Sequence, residues 1–395
     1  MSHFYFERLL LMLTLLCINP YHLLAEGEMP IIAYMGVPYD KTTDANFKTF
    51  SECGFNVSLY IYPNLEQMQK ACSIANKYGV KILGHCADTH NNPEKAAAIM
   101  KNVPGFFGYV LQDEPSADDI KVLQKEIMRL KAIDDTHCFY INLHPYYADW
   151  TLSYTKTSTY EEYLDIATTT SIRQISFDYY PITHNGIRKG WYKNLELIRQ
   201  QSMKSQISFW GFVLSVPHAI YPQPTIGGLR LQVYSNLAYG AQAIQYFTYW
   251  TPKPDGSNDY HDGPIDINGK KTKTYDLVQS MNKELKGVCK LFYGAKTTSV
   301  HHLGSIPEGT TRQTAMPTNI SLLKVIGKQG AIISRFEKTN HQYLAIVNKS
   351  HEEKLIIHIR TRNDIPRHIT KTLQEEQIKN LYTMPAGDIL IFKLN

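Results

Sequence analysis

The sequence is poor in cysteine. It has six cysteines in 395 residues, and the five that follow residue 25 form no CxxC pair: Cys53, Cys72, Cys86, Cys138 and Cys289. An odd number excludes a fully paired disulfide framework, and the spacing does not match a structural zinc site. We therefore expect most of these side chains to be buried as small hydrophobic groups.

A concentrated run of positive charge is also absent. The 41 Lys and Arg residues against 36 Asp and Glu give a formal net charge of +5, and no Lys/Arg run exceeds a few residues. Because a nucleic-acid-binding face needs clustered basic residues, we expect no nucleic-acid partner. A composition of 43% hydrophobic and 19% charged residues is typical of a globular protein.

Long apolar runs are absent apart from Leu9–Cys17. This run follows Arg8 and precedes the small residue Ala25, a pattern that predicts a secretory signal peptide over residues 1–25. The run is too short for a membrane span, so we expect a secreted, periplasmic or cell-surface protein. Cys17 leaves a lipid anchor open, although Leu16 stands where a small residue is expected. A buried N-terminal helix is the alternative interpretation.

From Pro30 onward, short β-type runs alternate with helical stretches about eight times, which is typical of a parallel α/β fold. The candidate strands are Ile31–Val37, Asn56–Tyr62, Val80–Cys86, Phe106–Gln112, His137–Leu143, Gln174–Tyr180, Gln206–Leu214 and Ala243–Trp250. No GxGxxG turn follows the first strand. We therefore predict a (β/α)8 TIM barrel over residues 26–292 rather than an open dinucleotide-binding sheet.

Two of the intervening helices can be read from their apolar periodicity. One carries apolar residues at steps of three and four and ends before Gly79: Leu65, Met68, Cys72 and Ala75. The other is predicted to begin at the cap Ser116, with Asp119 at its third position. Its buried stripe is predicted to be Ile120, Leu123, Ile127 and Leu130.

After Leu291 the pattern changes to short strand-like runs separated by Gly, Asn, Lys and Pro. These runs are "QGAIISRFE", "HQYLAIVNKS", "EKLIIHIRT" and "AGDILIFKLN". We predict a small antiparallel β-sandwich domain over residues 293–395.

The segment "GYVLQDEPSADD" places two adjacent carboxylates, Asp113 and Glu114, after the fourth predicted strand. In a TIM barrel this is the face that carries the catalytic residues. A carboxyl group in an apolar pocket can hold a proton near neutral pH while a neighbour stays ionised, as glycoside hydrolysis requires. The alternative is an acidic pair that complements the helix dipole, but Ser116 already supplies a cap.

The order of strand, Asp-Glu-Pro and helix, in a barrel followed by a β-sandwich, resembles the clan A, β-galactosidase-like glycoside hydrolases. In that clan Asn-Glu-Pro ends the fourth strand, so the resemblance implies that Glu114 is the general acid/base. Two features differ: Asp113 replaces the Asn, and the seventh strand, "ISFWGFVLSVPH", lacks the Glu that would be the nucleophile. The adjacent pair is also similar to that of the substrate-assisted hexosaminidases, whose Asp orients the acetamido group of the substrate.

A second carboxylate could come from Asp178 in "SFDYYP", at the end of the sixth strand. Carboxyls about 6.5–9.5 Å apart suit inversion through a water, and about 5 Å suits retention. The alternative role for Asp178 is to cap the following loop or hold an arginine. The long loop after the eighth strand offers Asp255, Asp259, Asp262 and Asp266; a solvated surface loop is the competing interpretation, and its oxygen ligands lack EF-hand spacing.

Polar and aromatic residues at the other strand ends are expected to form a sugar-binding rim. They are Tyr34, His85, Asn142, His144, Tyr180, Trp210, Tyr249 and Trp250. The spacing of His85, His90 and His144 matches no metal-ligand motif. No metal or other cofactor is predicted.

These observations together predict a secreted glycoside hydrolase acting on a carbohydrate substrate. Glu114 would be the general acid/base, and Asp113 or Asp178 would assist it. Two alternatives stay open. One is a non-catalytic glycan-binding barrel, which the missing Glu favours; the other is a polysaccharide lyase with Tyr180 or His144 as its base.

Overall fold

A computed structural model describes residues 28–395, which contain a closed barrel of eight parallel strands. The first of them pairs with the last, and every neighbouring pair is parallel. The barrel strands are β1 Ile31–Tyr34, β2 Val57–Ile61, β3 Lys81–His85, β4 Phe106–Asp113, β5 Cys138–Leu143 and β6 Gln174–Phe177, then, after the short hairpin β7 Ile182–Thr183 and β8 Gly186–Ile187, β9 Ser208–Leu214 and β10 Ala243–Phe247. The predicted TIM barrel is confirmed.

Ten α-helices lie in the described part of the chain, all within the barrel domain. They are α1 Asp44–Glu52, α2 Leu65–Asn76, α3 Ala87–Asn91, α4 Pro93–Met100, α5 Ala117–Lys131, α6 Thr151–Thr155, α7 Tyr160–Thr168, α8 Trp191–Ser205, α9 Ile226–Tyr239 and α10 Lys273–Phe292; a 3-10 turn covers Tyr39–Lys41. The predicted apolar stripes of α2 and α5 are buried. Ser116 caps α5, because its hydroxyl accepts the Asp119 N–H while the Asp119 carboxylate accepts the Ser116 N–H.

The barrel has two apolar layers. Its interior is filled by side chains that point inward from the strands, among them Phe107, Tyr140 and Trp210. A larger core separates the strands from the surrounding helices. This filling makes the barrel a packed scaffold, with its chemistry confined to the loops and strand ends.

The C-terminal domain consists of two antiparallel sheets. Its strands are β11 Lys296–Leu303, β12 Ile320–Ile326, β13 Ala331–Lys338, β14 His341–Asn348, β15 Leu355–Thr361, β16 Arg367–Ile369, β17 Glu375–Glu376, β18 Leu381–Met384 and β19 Ile389–Lys393. A six-stranded sheet, β11-β13-β14-β19-β16-β17, faces a three-stranded sheet, β12-β15-β18. Their inner faces share an apolar core that includes Leu344, Ile357 and Phe392, so the predicted β-sandwich is confirmed.

Helix α9 lies between the barrel and the six-stranded sheet. Twelve of its 14 residues are buried, because the barrel strand β9, the neighbouring helices and the six-stranded sheet all pack on it. Gly227 of α9 and Gly287 of α10 allow close approach of the sandwich. A Cβ on Gly227 would lie 2.4 Å from the His351 carbonyl oxygen, and one on Gly287 would lie 2.1 Å from that of Lys371.

An ion-pair cluster fastens the same interface. Glu284 of α10 pairs with Arg230 of α9 at 2.5 Å and with Lys371 of the sandwich at 2.6 Å. Burial alone would raise the pKa of Glu284, but hydrogen bonds from Arg230 and Lys371 lower it to about 2. The carboxylate is therefore fully compensated.

The five cysteines of the described residues are buried, as expected. No helix between residues 28 and 395 combines the length and the apolar character that crossing a membrane requires. The predicted signal peptide and Cys17 lie outside the described residues.

Candidate active site

Three strands bring the predicted residues Asp113, Asn142 and Asp178 together at the C-terminal face of the barrel. Asp113 at the end of β4 is in register with Asn142 on β5, and Asn142 is in register with Ser176 on β6, two residues before Asp178. The register shifts between Val110 and Gln112 of β4. A bulge of this kind re-aims the following side chains, here the two carboxylates.

Asn142 joins two carboxylates through one amide group. Its Nδ2 donates to Asp113 Oδ1 at 3.0 Å and to Asp178 Oδ1 at 2.9 Å. An amide nitrogen has two hydrogens, so both are used, and the two carboxylate oxygens lie at most about 6 Å apart. We call Asp113, Asn142 and Asp178 the bridged carboxylate pair.

Hydrogen bonds inside the barrel fix the orientation of Asn142. Ser176 Oγ donates to Asn142 Oδ1 at 2.8 Å, and Gln245 Nε2 donates to Ser176 Oγ at 2.8 Å. Tyr140 donates in turn to Gln245 Oε1 at 2.8 Å. Because the Asn142 oxygen accepts the Ser176 hydroxyl from inside the barrel, its NH2 group must point toward the two carboxylates.

Both carboxylates of the pair hold protons more strongly than an ordinary Asp. Burial raises the pKa of Asp178 well above its usual value, and the charges of Glu114 and Asp113 raise it further. Asp113 is open to solvent, yet the surrounding protein desolvates it enough to raise its pKa; the Asn142 bond opposes this shift and the Glu114 charge adds to it. Asp178 and Asp113 therefore each favour the protonated form more than an isolated Asp does, and the charge of Glu114 acts on both.

Glu114 lies beside the pair and is partly exposed. Its backbone has a φ of 46°, in the left-handed region that non-glycine residues rarely adopt, and its N–H donates to the Asn142 carbonyl at 2.8 Å. The side chain is 39% exposed, and its Oε2 lies 3.4 Å from His144 Nδ1. Strained backbone of this kind persists where surrounding contacts hold it, and it is frequent at active sites.

Tyrosines of α7 hold the backbone around Glu114 and His144. Tyr163 Oη donates to the Pro115 carbonyl at 2.7 Å, and Tyr160 Oη donates to the His144 carbonyl at 2.6 Å. The backbone segments that carry Glu114 and His144 are therefore both tied to α7.

The end of the seventh barrel strand carries no carboxylate, in agreement with the departure noted from the sequence. β9 ends at Leu214, and Ser215 and Val216 follow. The Ser215 hydroxyl donates to the Thr248 carbonyl at 2.7 Å. None of these three residues can act as a carboxylate nucleophile.

An aromatic wall stands next to the bridged carboxylate pair. Tyr34 and Tyr180 each lie 5.6 Å from Phe247, centroid to centroid, and both pack on Phe212. Burial raises the pKa of Tyr34, and the charges of Asp113 and Asp178 raise it further. This places the predicted rim residues Tyr34 and Tyr180 beside the pair.

Three other predicted rim residues do not face the site, and these predictions are wrong. Trp210 lies in the middle of β9 and fills the barrel interior, 6.0 Å from the Tyr140 ring. Tyr249 points outward and packs 4.8 Å from Phe50 of α1. Trp250 is buried under the loop at Gly269, where a Cβ would lie 3.2 Å from its ring. Strands buried on both faces do not reveal from sequence which residues point inward.

His85 lies at the end of β3, half-buried, with Nδ1 3.1 Å from the Val110 carbonyl oxygen. Burial lowers its pKa, which suits a neutral scaffold histidine. His90 pairs instead with Glu126 at 2.8 Å. Over residues 28–395 no cluster of His, Cys, Asp and Glu is arranged to hold a metal ion.

The loop after β10 uses most of its aspartates to fold itself. Asp255 accepts from the N–H groups of Ser257 and Asn258, and Asp266 accepts from those of Asn268 and Lys270. Asp259 accepts the N–H of Ala219 at 2.7 Å, and Asp262 uses its backbone carbonyl to accept from Thr274. The loop nevertheless reaches the aromatic wall, because Tyr260 lies 6.1 Å from Phe247.

The sequence prediction missed an aromatic group on the loop after β5. Trp150 and Tyr154 are 56% and 59% exposed, and Tyr147 stacks on Trp150 at 5.9 Å with planes 11° apart. The signal was present in "YYADWTLSY", three tyrosines and a tryptophan in nine residues directly after the fifth strand.

Comparison with known proteins supports the resemblance inferred from the sequence. A family model described as "Beta-galactosidase" matches residues 151–288. The matched segment runs from α6 into α10 and includes Asp178, whereas Asp113 and Glu114 precede it. A search of curated proteins gives no match.

Solved structures share the fold across nearly the whole chain. A β-galactosidase from Bacillus circulans sp. alkalophilus superposes with a TM-score of 0.64 at 9% identity, covering 95% of this chain and 100% of that one. A glycoside hydrolase family 5 protein from Bacteroides vulgatus ATCC 8482 gives 0.55 at 12% identity, covering 93% and 89%. A protein described as "Glycoside hydrolase" gives 0.57 at 12% identity, covering 94% and 96%.

Proposed function

We propose that this chain is a β-galactosidase-like glycosidase with a TIM barrel and a C-terminal β-sandwich. We further propose that it hydrolyses a glycosidic bond with Glu114 as general acid. The observation that carries this proposal is the bridged carboxylate pair beside Glu114. Three carboxyl groups meet at the C-terminal face of the barrel, two of them held by the amide of Asn142.

Glu114 supplies the proton for the leaving group. Its side chain is 39% exposed and directly follows the fourth strand, where its carboxyl can reach an oxygen of a bound glycan. Proton donation in the transition state lets the glycosidic C–O bond break with the electron pair leaving on a neutral hydroxyl. The nearby His144 ring orients the carboxyl through the 3.4 Å contact.

The bridged carboxylate pair receives the other proton. An ionised carboxylate of the pair stabilises the positive charge that develops at the anomeric carbon. A water that adds to that carbon gives a proton to the pair. Because a base works best when its pKa is close to the operating pH, the raised pKa values of Asp178 and Asp113 suit this role.

The absence of a carboxylate after β9 favours a single displacement. Without a nucleophile on that strand the protein forms no covalent sugar intermediate there, and attack by water inverts the anomeric configuration. We therefore expect the first product to have the inverted anomer, measured by proton NMR during the first turnovers. A retained anomer would instead indicate participation of the substrate's own acetamido group.

The test is release of reducing sugar by residues 26–395 from β-linked galactosides, glucosides, mannosides and N-acetylhexosaminides. We expect release from at least one class and a loss of about 100-fold or more in Glu114→Gln, since general acid catalysis contributes roughly 10²–10⁴. His90→Gln is a matched control, because His90 is paired with Glu126 on the outer helices. Equal turnover in Glu114→Gln would overturn the assignment.

The missing carboxylate after β9 also supports a second candidate, a barrel that binds glycan without cleaving it. No release of reducing sugar from any sugar class, combined with measurable glycan binding, would select this alternative. An unsaturated product absorbing in the ultraviolet would instead indicate a lyase.

We also propose export of the chain, supported by the charged, apolar and small-residue order of residues 1–25. N-terminal sequencing of the protein recovered from its native host would test this. A mature chain beginning at Glu26 is expected, whereas a lipid-modified Cys17 at the N terminus would replace that expectation with an anchored protein.

A further inference from the structure

The aromatic group after β5 forms a continuous surface beside the site, which we call the Trp150 platform: Tyr147, Trp150 and Tyr154. The Trp150 and Tyr154 rings meet edge to face at 5.8 Å. Large aromatic side chains this exposed bury little apolar area in the chain itself. Their solvent-facing rings are free to stack on a flat apolar surface.

Contacts at both ends connect the platform to the catalytic groups. The Tyr154 ring lies 5.9 Å from the His144 ring, and His144 lies 3.4 Å from Glu114. At the other end, Tyr147 Oη donates to the Asp178 carbonyl at 3.4 Å. The platform therefore lies beside the site, next to the group proposed to protonate the leaving oxygen.

Packing behind the platform holds it in place. The Arg188 guanidinium lies 4.7 Å from the centre of the Tyr147 ring, and the Tyr179 ring packs against the same ring at 4.6 Å with planes 43° apart. Tyr147 is thus held by an arginine and a tyrosine, and Trp150 stacks on it with nearly parallel planes. A surface fixed in this way loses little conformational entropy when a ligand binds.

We propose that the Trp150 platform is the subsite for the sugar unit on the leaving-group side of the scissile bond. This rests on the proposed function, because Glu114 defines where the leaving oxygen lies. A pyranose ring has one face rich in C–H bonds, which packs on an indole while its hydroxyls remain in water. The aromatic wall beside Asp113 and Asp178 is left for the sugar that contains the anomeric carbon.

The tryptophan content of the chain provides a direct measurement. Of its four tryptophans, Trp191 and Trp210 are 1% exposed and Trp250 is 7% exposed, so Trp150 is the one that solvent reaches. Acrylamide quenching of fluorescence therefore reports mainly on Trp150. The probes are β-1,4-galactotriose, chitotriose and cellotriose, added to Glu114→Gln so that binding is measured without turnover.

We expect one of the three trisaccharides to protect the fluorescence of Glu114→Gln from acrylamide. Adding Trp150→Ala should weaken binding of that trisaccharide about 10-fold or more by calorimetry, which corresponds to about 1.4 kcal/mol. Trp150→Phe should restore most of the affinity. Met128→Ala, which removes a 61% exposed side chain from the outer helix α5, should change nothing.

Kinetics separate this proposal from the proposed function. If the protein hydrolyses glycans, Trp150→Ala should lower kcat/KM for the trisaccharide about 10-fold or more. It should change kcat/KM less than about 3-fold for the corresponding glycosyl fluoride, whose single-atom leaving group does not reach the platform. If hydrolysis is absent, protection of Trp150 by glycan still supports the subsite. No binding of any trisaccharide to Glu114→Gln, or equal binding with and without Trp150→Ala, would overturn it.

Discussion

Two carboxylate clusters lie at opposite ends of β5, and their surroundings shift the carboxyl pKa values in opposite directions. Before the strand, Asp134 accepts hydrogen bonds from Tyr109 at 2.7 Å and from His137 at 2.8 Å. After the strand, Asp113 and Asp178 share the amide of Asn142 and face the charge of Glu114.

The proton affinities of the two clusters follow from this difference. Burial alone would raise the pKa of Asp134, but the bonds from His137 and Tyr109 lower it to about 2. After the strand, burial and the charge of Glu114 outweigh the bond from Asn142 to each carboxylate, so the pKa values of Asp178 and Asp113 are raised. One end of the strand uses a carboxylate to stabilise the fold, and the other retains unfavourable electrostatics that a reaction can use.

The largest effect is expected for Asp178→Asn, which removes one member of the bridged carboxylate pair. Hydrolysis should fall about 100-fold or more, because the pair no longer takes the proton of the attacking water. The free energy of unfolding in urea at pH 7 should rise, since a repelling charge has been removed. A clear loss of stability with full activity would mean that the two clusters have the same role.

Asp134→Asn should behave in the opposite way. A pKa lowered from 3.8 to about 2 corresponds to about 2 kcal/mol of stability at neutral pH. We expect the free energy of unfolding to fall by about that amount while the rate of hydrolysis per folded molecule is retained. Urea titration and the kinetic assay on the same sample check both halves of the expectation.

The dependence of stability on pH should sharpen the same contrast. Asp134 has a lowered pKa in the folded state, so its contribution is complete above about pH 4 and is lost as the pH falls towards 2. Asp178 has a raised pKa, so its cost is greatest at neutral pH and disappears as the pH falls and it takes up its proton. The stability of Asp178→Asn should therefore exceed that of the unmodified protein at pH 7 and converge with it near pH 4. A constant difference across this range, measured by urea unfolding, would contradict the prediction.

The smallest effect is expected at Ser116, two residues beyond Glu114. Ser116→Ala removes the cap of α5 and should cost about 1 kcal/mol of unfolding free energy, with kcat changed less than about 2-fold for a purely structural role. Ser116→Asp, which keeps a capping acceptor, should restore the stability. A large loss of kcat in Ser116→Ala would show that the cap and the carboxylates act together.

Much of this fold could be predicted from the sequence because buried parallel strands and amphipathic helices leave periodic patterns. The pattern also placed Asp113 and Asp178 at strand ends, and the ends of parallel strands meet at one face. The bridge through Asn142 could not be predicted, since it depends on the bulge in β4 and on the bonds from Ser176 and Gln245. Trp210 and Tyr249 were placed wrongly because an aromatic residue in an apolar strand can point inward or outward.

The Trp150 platform was not predicted from the sequence, for a different reason. Tyr147, Trp150 and Tyr154 lie on a loop and a five-residue helix, where no period separates a buried side chain from an exposed one. Composition alone marked the segment. Its position beside the site follows only from the contacts with His144 and Asp178.

Gly227 and Gly287 bring the backbones of the two domains so close that a single methyl group would separate them. For protein engineering, this means that the sandwich is not an exchangeable module: a replacement domain would have to reproduce the path of its backbone as well as its apolar face. Removing it would leave α9 as an uncovered apolar helix on the barrel surface. We expect barrels cut after residue 292 to aggregate. Glycan specificity is therefore better redesigned in the loops at the C-terminal face of the barrel than by exchange of domains.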